Sequence, residues 1–481
     1  MARRITRREL LQTGAMAGAS LAMPFFHCRS ADAAGVVDAA GARKLRLKGR
    51  LILPGDAGYD IARRTWNRRF DQHPAIIAQC VNTDDVRRSV EFARKHNLET
   101  AVRSGAHSFA GYSSCNGGLV IDLSQMTGVR VDKPNRVARA EPGISIAAFD
   151  IAVAPSGLSA SLGACPDVAV SGLTLGGGNG FLETVYGTAS DNLVSAEVVT
   201  ADAESRQVNA NSYPDLYWAM RGAGANFGIA TTLELRLHPV NTIMFGSLEF
   251  KPSQVRDVLR FIRDYAPHAP DELGMFVDVP GGYGDSGLEL TLAYVGDEKR
   301  GGPVIRHLEE KTRPQSGAIR PTPYKDMVGT EAPPGGSFAS HRKAGFFSSI
   351  NDPVIDAVVE SIDKRPSKWS KISFYLAHGA RCHIPATATA YSLRQPGFEC
   401  WIQTYWTGPA APEKSIEWVD GFWTRTGSFA TGRVYVNYLE NEGNQRVRAA
   451  YGPNYDRLTK LKKKYDPANF FRLNQNIPPA V

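Results

Sequence analysis

A glycine-rich stretch, Gly163-Ala-Cys-Pro-Asp-Val-Ala-Val-Ser-Gly-Leu-Thr-Leu-Gly-Gly-Gly-Asn-Gly180, carries six glycines in eighteen residues. Such a run exposes backbone amides that can bind a pyrophosphate, and Cys165 stands near its start, just before Pro166. No Gly-Lys-Ser/Thr follows, which excludes a P-loop, and the run does not match the G-x-G-x-x-G dinucleotide fingerprint. By itself the stretch is also compatible with a plain glycine-rich turn.

A second motif, Arg103-Ser-Gly-Ala-His-Ser108, follows a predicted strand at residues 100–103. Gly105 lets the backbone approach a ligand closely, the two serines offer small hydroxyl groups, and His107 is presented beside them. In an isolated turn of this kind, a histidine is more often a hydrogen-bonded structural residue. The motif is therefore informative only in combination with others.

Around these motifs, residues 47–239 alternate short apolar runs, helical stretches and glycine clusters. Residues 74–81, 83–96 and 100–103 predict strand, helix and strand, because the middle segment has apolar residues at helical spacing after an acidic start. Further predicted strands are residues 118–122, 196–200 and 228–236. The pattern predicts an α+β domain.

A second region, residues 241–433, predicts an antiparallel sheet covered by helices. The strands are expected at residues 246–250, 288–294 and 399–406, and the helices at residues 252–265 and 411–424. Residues 313–346 are rich in Pro, Gly and Ser and are predicted to form loops. In the tail, the run at residues 460–464 predicts a helix with a solvated basic face.

Length and composition favour an ordinary globular protein of two or three domains. The chain has 481 residues, with 43% hydrophobic and 22% charged residues, and it has no apolar run long enough to span a membrane. The formal charge of +8 falls to about +5 without the first 33 residues. Because no clustered basic stripe accompanies that charge, we expect a small-molecule ligand and not a nucleic acid.

Residues 1–33 have the composition of a targeting segment. Arg3, Arg4, Arg7 and Arg8 precede a small and apolar stretch, and Ala31-Asp32-Ala33 is a candidate cleavage site. Thr6-Arg7-Arg8-Glu9-Leu10-Leu11 resembles the twin-arginine signal. The resemblance implies export of the folded protein by the Tat machinery, to the bacterial periplasm or the medium, with an ordinary secretory leader as the alternative.

The mature chain would keep five of the six cysteines, an odd number. If a cofactor consumes Cys165, then Cys80, Cys115, Cys382 and Cys400 could form two disulfides in an oxidising compartment, in a pairing that the sequence leaves open. Cys382-His383 has no second pair at ligand spacing, so no metal site is predicted.

Five ordered motifs resemble the berberine bridge enzyme-like branch of the vanillyl-alcohol oxidase, or PCMH-type, flavoproteins. The match in order and spacing covers nearly the whole mature chain and comprises residues 103–108, 165–180, 191–202, 215–228 and 465–477. The resemblance implies a PCMH-type FAD-binding domain at residues 47–240 and a substrate domain at residues 241–433. Residues 434–481 would then return to the FAD domain.

Carried over position by position, the resemblance implies FAD held by two covalent bonds. His107 would attach to the flavin 8α-methyl group and Cys165 to flavin C6, because both are neutral-pH nucleophiles. Two departures are Ala106, where the family usually has glycine, and Ser171-Gly-Leu-Thr in place of the commoner Gly-Gly-His-x. The other expected cofactor contacts are Arg103, Ser104, Gly105, Ala106, Ser108, Val168, Gly172, Gly176, Gly177, Gly178, Gly180, Gly228, Asn474 and Asn476.

The motif Tyr435-Val-Asn-Tyr438 lies in a run that predicts a strand at residues 432–439. In a strand the two tyrosines would point to opposite faces, so only one would face the flavin. The family motif implies an active-site tyrosine that takes the proton from a substrate hydroxyl, and we assign Tyr438, with Tyr435 in reserve. Glu440 stays outside the catalytic set, because the acidic residue that often follows this motif is shifted here.

The resemblance implies an oxidoreductase that moves a hydride from an alcohol or sugar hemiacetal carbon to FAD. Val168, three residues after Cys165, matches relatives that react with oxygen. Alternatives are a periplasmic dehydrogenase that passes electrons to a quinone or cytochrome, a tailoring enzyme of natural-product biosynthesis, and a non-catalytic flavin- or sugar-binding protein. An aromatic concentration could stack on sugar rings, although core packing is favoured: Trp401, Tyr405, Trp406, Trp418, Phe422 and Trp423.

Overall fold

The computed structural model describes residues 39–280, 287–327, 338–408 and 412–481, and for residues 39 and 40 it describes the backbone alone. The predicted leader at residues 1–33, with its arginine pairs and candidate cleavage site, lies outside the described residues. No helix in the described ranges combines the length and apolar character needed to cross a bilayer.

The first sheet has four strands in the order β1-β2-β4-β3. β4 runs parallel to both β2 and β3. The strand, helix and strand predicted over residues 74–103 are confirmed, and Asn82 Oδ1 caps the connecting helix α3 by accepting from the Asp85 amide at 3.0 Å. The elements are β1 (Arg50–Ile52), β2 (Ile76–Gln79), β3 (Thr100–Arg103), β4 (Leu119–Asp122), α1 (Ala39–Ala42), α2 (Tyr59–Ala62) and α3 (Thr83–Lys95).

The second sheet has five antiparallel strands in the order β5-β6-β9-β7-β8. Its helices contribute Phe149 and Trp218 to the core beside it, and Phe227, just before β9, packs in the same core. The elements are β5 (Val129–Asp132), β6 (Val137–Ala140), β7 (Leu193–Thr200), β8 (Ser205–Asn209), β9 (Gly228–Arg236), α4 (Ile146–Val153), α5 (Val170–Gly176), α6 (Glu183–Tyr186) and α7 (Pro214–Ala223). The predicted α+β character is confirmed.

The third sheet has seven antiparallel strands in the order β13-β10-β12-β11-β15-β16-β14. Helices cover one face, as predicted; α8 packs Val255, Val258, Leu259 and Ile262 inward at helical spacing. The strands are β10 (Thr242–Phe250), β11 (Leu273–Val279), β12 (Leu288–Tyr294), β13 (Ser316–Pro323), β14 (Ala339–Phe347), β15 (Lys371–Ala377) and β16 (Gly397–Trp406). The helices are α8 (Val255–Tyr265), α9 (Glu298–Thr312), α10 (Asp352–Ile362), α11 (Ala380–His383) and α12 (Glu413–Thr426).

The uncovered face of the third sheet packs against the second-sheet region. Phe276, Tyr375 and Trp401 from this face share one core with Phe149 and Trp218. Every residue of β16 is therefore buried, because helices lie on one side of it and the second-sheet region on the other. The functional cavity described below opens in this contact between the two regions.

The C-terminal segment packs back on the second-sheet region through α13 (Asn444–Tyr451) and α14 (Tyr455–Tyr465). Lys462 is fully buried and donates to the carbonyl oxygens of Asn226 at 2.7 Å and Phe471 at 2.9 Å, and to Asp466 at 2.7 Å. The prediction of a solvated basic face holds for the exposed residues 460, 463 and 464 and is wrong for Lys462. Three acceptors compensate for its desolvation.

The prediction of loops over residues 313–346 is wrong for two strands. β13 and β14 are the outer strands of the third sheet, each paired on one side only. An edge strand tolerates the prolines of β13, because one row of its amides needs no ladder partner. The polar start of β14 is Ser340-His-Arg-Lys343, whose first three residues are buried among polar partners described below, so apolar alternation could not reveal the strand.

The two disulfides that the sequence allowed do not form. Cys80, Cys115, Cys382 and Cys400 are free thiols in the described part of the chain. Burial raises the pKa of Cys80 and of Cys115 to about 12, so these thiols stay protonated and unreactive near neutral pH. They pack as small apolar side chains.

One carboxyl group is buried without compensation. Asp150 on α4 is 4% exposed, and its Oδ2 has no hydrogen-bond partner among the described residues. Desolvation raises the pKa of Asp150 to about 8. The folded protein therefore holds a proton that the unfolded chain, with an ordinary carboxyl pKa near 4, has released, and the free energy of unfolding falls as pH rises between these values.

We expect Asp150→Asn to raise the melting temperature by several degrees at pH 7 to 8 and to change it little near pH 4.5. The corresponding gain in the free energy of unfolding is about 2–4 kcal/mol at pH 7. Differential scanning calorimetry across this pH range measures it. The exposed Asp363 provides the control, because Asp363→Asn should not show this pH dependence; equal effects of Asp150→Asn at both pH values would contradict the assignment.

Candidate active site

A cavity of about 390 Å³ lies where the third sheet meets the rest of the protein, a volume within the range of small-molecule sites. Loop residues 104–109, the glycine-rich stretch and the C-terminal residues 473–475 line one side. The third sheet provides Phe276, Arg342, Tyr375, Trp401 and Tyr405.

Most of the sequence-predicted site residues line this cavity: Ser104, Gly105, Ala106, His107, Ser108, Cys165, Val168, Gly172, Gly176, Gly180, Gly228, Tyr435, Tyr438 and Asn474. Four lie outside its wall: Arg103, Gly177, Gly178 and Asn476. Arg103 instead donates to the carbonyl oxygen of Ala62, and burial lowers its pKa. Asn476 has a buried Oδ1 that no described residue contacts by a hydrogen bond.

The loop after β3 presents a row of backbone amides to the cavity. In the described ranges, the backbone amides of residues 104–108 donate to no protein acceptor. A side chain at Gly105 could not be accommodated, since its Cβ would lie 2.7 Å from the Ala169 nitrogen. Backbone amides without protein partners, at a place where the chain can come close to a ligand, are the arrangement that binds a phosphate oxygen.

Ala106 adopts the left-handed conformation, with φ of 59°. A residue with a Cβ pays roughly 1–2 kcal/mol there, which glycine avoids. The departure from the family's usual glycine therefore adds a conformational cost as well as one methyl group. The loop keeps this conformation because the Trp66 amide donates to the Ala106 carbonyl oxygen at 3.0 Å.

His107 is held in the cavity by an aromatic neighbour. Its ring stacks on Trp66 with centroids 5.4 Å apart and an interplanar angle of 27°. Burial lowers the pKa of His107, and the charge of Asp167 opposes this shift only in part. Near neutral pH the imidazole is therefore uncharged, and a ring nitrogen keeps the lone pair that a nucleophile needs.

Cys165 lies in a segment fixed by backbone hydrogen bonds to the start of α4. The carbonyl oxygens of Pro166 and Val168 accept from the amides of Ala147 at 3.1 Å and Ile146 at 3.0 Å. These bonds on the residues that follow Cys165 restrain its backbone at the cavity wall. Val168 lines the same wall.

The consecutive glycines of the glycine-rich stretch make room for the tyrosine motif. A Cβ at Gly176 would lie 2.1 Å from Asn437 Oδ1, and a Cβ at Gly177 would lie 2.6 Å from the Tyr391 ring. The Gly178 amide donates to the Tyr435 hydroxyl at 2.8 Å. Gly177 and Gly178, which the resemblance offered as cofactor contacts, thus support Tyr435.

The strand predicted at residues 432–439 is wrong. Val436–Tyr438 form a single 3₁₀ turn, closed by the Tyr438 amide donating to the Tyr435 carbonyl oxygen at 3.0 Å. A turn with three residues per repeat brings the two tyrosines to the same side, and both line the cavity, with ring centroids 4.8 Å apart. The alternation argument for a single cavity tyrosine therefore fails.

The two tyrosines differ in their surroundings. Tyr435 is buried, its hydroxyl is bonded to the Gly178 amide and to Asn437 Nδ2 at 2.8 Å, and desolvation raises its pKa far above the ordinary value. Tyr438 is half-buried beside Trp401, with ring centroids 4.8 Å apart. Tyr435 is thus suited to a structural role, whereas Tyr438 is the more exposed tyrosine of the cavity lining.

Arg342 is a cavity residue that the sequence did not reveal. Its side chain is buried, and its guanidinium carbon lies 3.7 Å from the ring centroid of Phe109 and 5.3 Å from that of Tyr438. Gln403 orients it by accepting from Nε at 3.0 Å. No signal pointed to it, because β14 was predicted as a loop.

A buried ionic cluster supports the cavity wall. The Arg381 guanidinium donates to Glu183 and to Glu399, both at 2.7 Å, and all three side chains are fully or almost fully buried. Asn179 lines the cavity and donates to both oxygens of Glu399, at 2.7 and 2.9 Å. Desolvation raises the pKa of Glu183 to about 7, against the attraction of Arg381.

The aromatic residues that the sequence offered either for stacking on sugar rings or for core packing lie in two places. Trp401 and Tyr405 line the cavity, whereas Trp418 and Phe422 belong to the core beneath the helices of the third sheet. Tyr375 also lines the cavity, and its hydroxyl donates to the Gly180 carbonyl oxygen at 3.0 Å. Core packing is confirmed for Trp401, Trp418 and Phe422, and Trp401 contributes to the core and to the cavity lining at once. Tyr405 is a buried residue of the cavity lining.

The residues present fit FAD. The unpartnered amides of residues 104–108 suit a pyrophosphate, and the buried Oδ1 of Asn474, which has no hydrogen-bond partner in the described chain, suits a donor group of the cofactor. His107 and Cys165 stand on the same cavity wall as these groups. The donor set therefore agrees with a dinucleotide that carries a flavin ring.

Comparison with known proteins identifies the same cofactor. The family profile described as "FAD binding domain" matches residues 74–209, and that described as "Berberine and berberine like" matches residues 434–478. The (R)-6-hydroxynicotine oxidase of Paenarthrobacter nicotinovorans is 30% identical over 455 residues, which cover 91% of this chain and 98% of that protein. The carbohydrate oxidase of Microdochium nivale is 27% identical and covers 89% and 92%.

Solved structures agree with the fold. The 6-hydroxy-D-nicotine oxidase of Arthrobacter nicotinovorans superposes with a TM-score of 0.81 at 29% identity, over 91% of this chain and 99% of that one. A xylooligosaccharide oxidase of Myceliophthora thermophila has a TM-score of 0.82 over 92% and 98%, and at 22% identity it supports the fold alone. The predicted α+β fold with a PCMH-type FAD-binding domain is confirmed.

We expect Arg381→Met to lower the free energy of unfolding by about 3–5 kcal/mol, because two buried carboxyl groups lose the guanidinium that pairs with both of them. Chemical denaturation at pH 7 measures this loss. Arg425→Met is the matched control: its partner Glu360 is exposed, so the loss should stay below about 1 kcal/mol. Equal losses would show that the buried cluster contributes no more than a surface pair.

Proposed function

The chain belongs to the berberine bridge enzyme-like family of FAD-linked oxidoreductases, and on that premise we propose that it is an oxidase with bicovalent FAD that oxidises an alcohol carbon. The observation that supports this proposal most directly is that His107, Cys165 and Tyr438 all line the same cavity. When bound, FAD accepts the hydride from the substrate carbon and returns the electrons to dioxygen. The protein's own residues bind, orient and deprotonate the substrate.

Tyr438 is the proposed general base. Its phenolic oxygen takes the proton of the substrate hydroxyl as the hydride leaves the neighbouring carbon. The Arg342 guanidinium carbon lies 5.3 Å from the Tyr438 ring centroid and places a positive charge beside the proposed base. Tyr435 holds the turn in place through its bonds to Gly178 and Asn437.

His107 and Cys165 are the proposed attachments, to the flavin 8α-methyl carbon and to C6. Each new bond replaces one hydrogen of the nucleophile and one of the flavin carbon, and dioxygen takes up both as hydrogen peroxide. The neutral imidazole of His107 favours the first of these bonds. Two tethers would retain the cofactor in a cavity open to a bulky substrate.

The substrate-facing wall favours a flat molecule. All third-sheet residues of the cavity except Arg342 are aromatic: Phe276, Tyr375, Trp401 and Tyr405. Aromatic rings stack on other aromatic rings and on the apolar faces of sugars. Aromatic natural products and oligosaccharides are therefore the two substrate classes to screen, and the names of the nicotine and carbohydrate oxidases among the relatives agree with both.

Dioxygen is the proposed electron acceptor, supported by Val168 at the cavity wall. The rival is a dehydrogenase that serves a quinone or cytochrome, which would release little peroxide in air while bleaching an artificial dye. Export by the twin-arginine route rests on the leader motif at residues 6–11 and is proposed on that basis alone.

We expect the acid-denatured wild-type protein to carry the added mass of one FAD, with His107 and Cys165 peptides cross-linked by it. His107→Ala and Cys165→Ala should each keep one attachment, and the double variant should release all its FAD on denaturation. Intact-mass spectrometry and peptide mapping measure this. Cys382→Ala is the matched control, since burial raises the pKa of Cys382 to about 11 and keeps its thiol inert. A folded protein supplied with FAD that shows no adduct would contradict the proposal.

We expect Tyr438→Phe to slow anaerobic flavin reduction by roughly 10²–10⁴-fold, because the base is removed while the ring remains. Tyr435→Phe should act mainly on stability, since it leaves the Gly178 amide without its acceptor. Stopped-flow absorbance with a substrate from the peroxide screen measures both rates. A Tyr435→Phe variant slower than Tyr438→Phe would reverse the assignment of the base.

A further inference from the structure

A charged cluster lies directly behind the Tyr438 turn. Glu440 follows Tyr438 by two residues, and its Oε1 accepts from the Arg342 amide at 2.9 Å. Its Oε2 lies 3.0 Å from His341 Nδ1 and accepts from Arg69 at 3.1 Å. One buried carboxylate thus connects the turn that carries Tyr438 to β14, which carries Arg342.

His341 is held between two carboxylates. Its Nδ1 faces Glu440 and its Nε2 faces Asp420 Oδ1 of α12, both at 3.0 Å. A carboxylate only accepts, so both contacts are hydrogen bonds only when both ring nitrogens carry protons. The two carboxylate contacts therefore favour the imidazolium. One contact opposes it, because Arg69 Nη1 lies 3.1 Å from the same Nδ1 and can only donate. The other cation facing the pair is Lys343, 3.9 Å from Asp420. Two carboxylates against the one guanidinium at the ring leave the balance of charge in favour of the protonated ring.

The turn is held from the cavity side as well. Gln475 of the C-terminal segment lines the cavity and donates to the carbonyl oxygens of Leu439 at 3.0 Å and Glu440 at 3.2 Å. Neither His341 nor Glu440 lines the cavity. Their contacts thus act on the placement of the turn, and not on the reacting atoms.

We propose that Glu440 and protonated His341 form an anchor that positions Tyr438 relative to Arg342, and that release of the His341 proton loosens it. His341 and Glu440 are positioning residues, since neither touches substrate or cofactor. Only the rate measurement rests on the proposed function; the anchor itself is a property of the folded protein.

The direction of the pH effect follows from the neighbours of His341. Burial lowers the pKa of His341, but the hydrogen bonds and charges of Glu440 and Asp420 outweigh burial, and the net shift is upward. A histidine with a raised pKa stabilises the fold fully below its ordinary pKa of about 6.5 and loses this effect as pH rises through the raised value. The anchor is therefore complete in mildly acid solution and weakened in alkaline solution.

The test compares His341→Gln, Glu440→Gln and the double variant in the FAD-loaded protein. Glutamine keeps a polar side chain of similar length and cannot become a cation. We expect His341→Gln to melt several degrees below wild type at pH 6, with a difference that shrinks as the pH rises through the raised pKa of His341. Glu440→Gln should lose the same pH-dependent part and keep a further deficit at every pH, because Glu440 also accepts from Arg69 and from the Arg342 amide. The double variant should melt no lower than the worse single variant, because the two residues act through one contact. His307→Gln, at an exposed position of α9, is the matched control.

The position of Tyr438 is followed by ¹⁹F NMR of protein labelled with 3-fluorotyrosine, with the resonance assigned through Tyr438→Phe. In wild type this resonance should show a titration step that follows His341, and that step should be absent in His341→Gln. With a substrate from the screen, flavin reduction in wild type should slow about ten-fold on the alkaline side, and His341→Gln should show the slower rate throughout.

Three results overturn the proposal. They are a stability difference that is the same at every pH, a Tyr438 resonance that ignores the titration of His341, and wild-type and His341→Gln reduction rates that stay parallel across pH. If no substrate reduces the flavin while the resonance follows His341, the proposed oxidase function fails and the anchor stands.

Discussion

The guanidinium of Arg381 lies fully buried between the carboxyl groups of Glu183 and Glu399, and this contact joins the two walls of the cavity. Glu183 begins α6, just after the glycine-rich stretch, whereas Glu399 lies on β16 two residues before Trp401. Apolar contacts are non-directional, but charged hydrogen bonds specify one relative placement. A cavity assembled from separate regions of the chain depends on such directional contacts.

Sequence patterns predicted the features that depend on neighbouring residues in the chain. β3, the loop with His107 and the helix-covered sheet follow from alternation and helical spacing, and the family motifs identified Cys165 and the tyrosine pair. The patterns failed where long-range contacts decide the conformation. Val436–Tyr438 form a turn because Gly178 and Asn437 bind the Tyr435 hydroxyl, and Lys462 is buried because Asn226 and Phe471 supply acceptors.

The same limit explains why Arg342 and Glu440 could not be assigned. Arg342 stands in a polar run that resembles a surface loop, yet Gln403, Phe109 and Glu440 surround it in the folded protein. These partners are distant in the sequence, so no periodicity connects them. Buried polar clusters of this kind are the least predictable part of a functional site. The free-energy cost of burying their groups is low only when every hydrogen-bonding partner is present.

The buried Lys462 makes the cavity and the C-terminal packing one cooperative unit. It holds the segment whose residues Leu473, Asn474 and Gln475 complete the cavity lining. Its charge is compensated by Asn226, Asp466 and Phe471 only while that segment is docked. Undocking the segment therefore opens the cavity and strands a buried charge in the same event, so the cavity cannot lose this part of its lining without a large loss of stability.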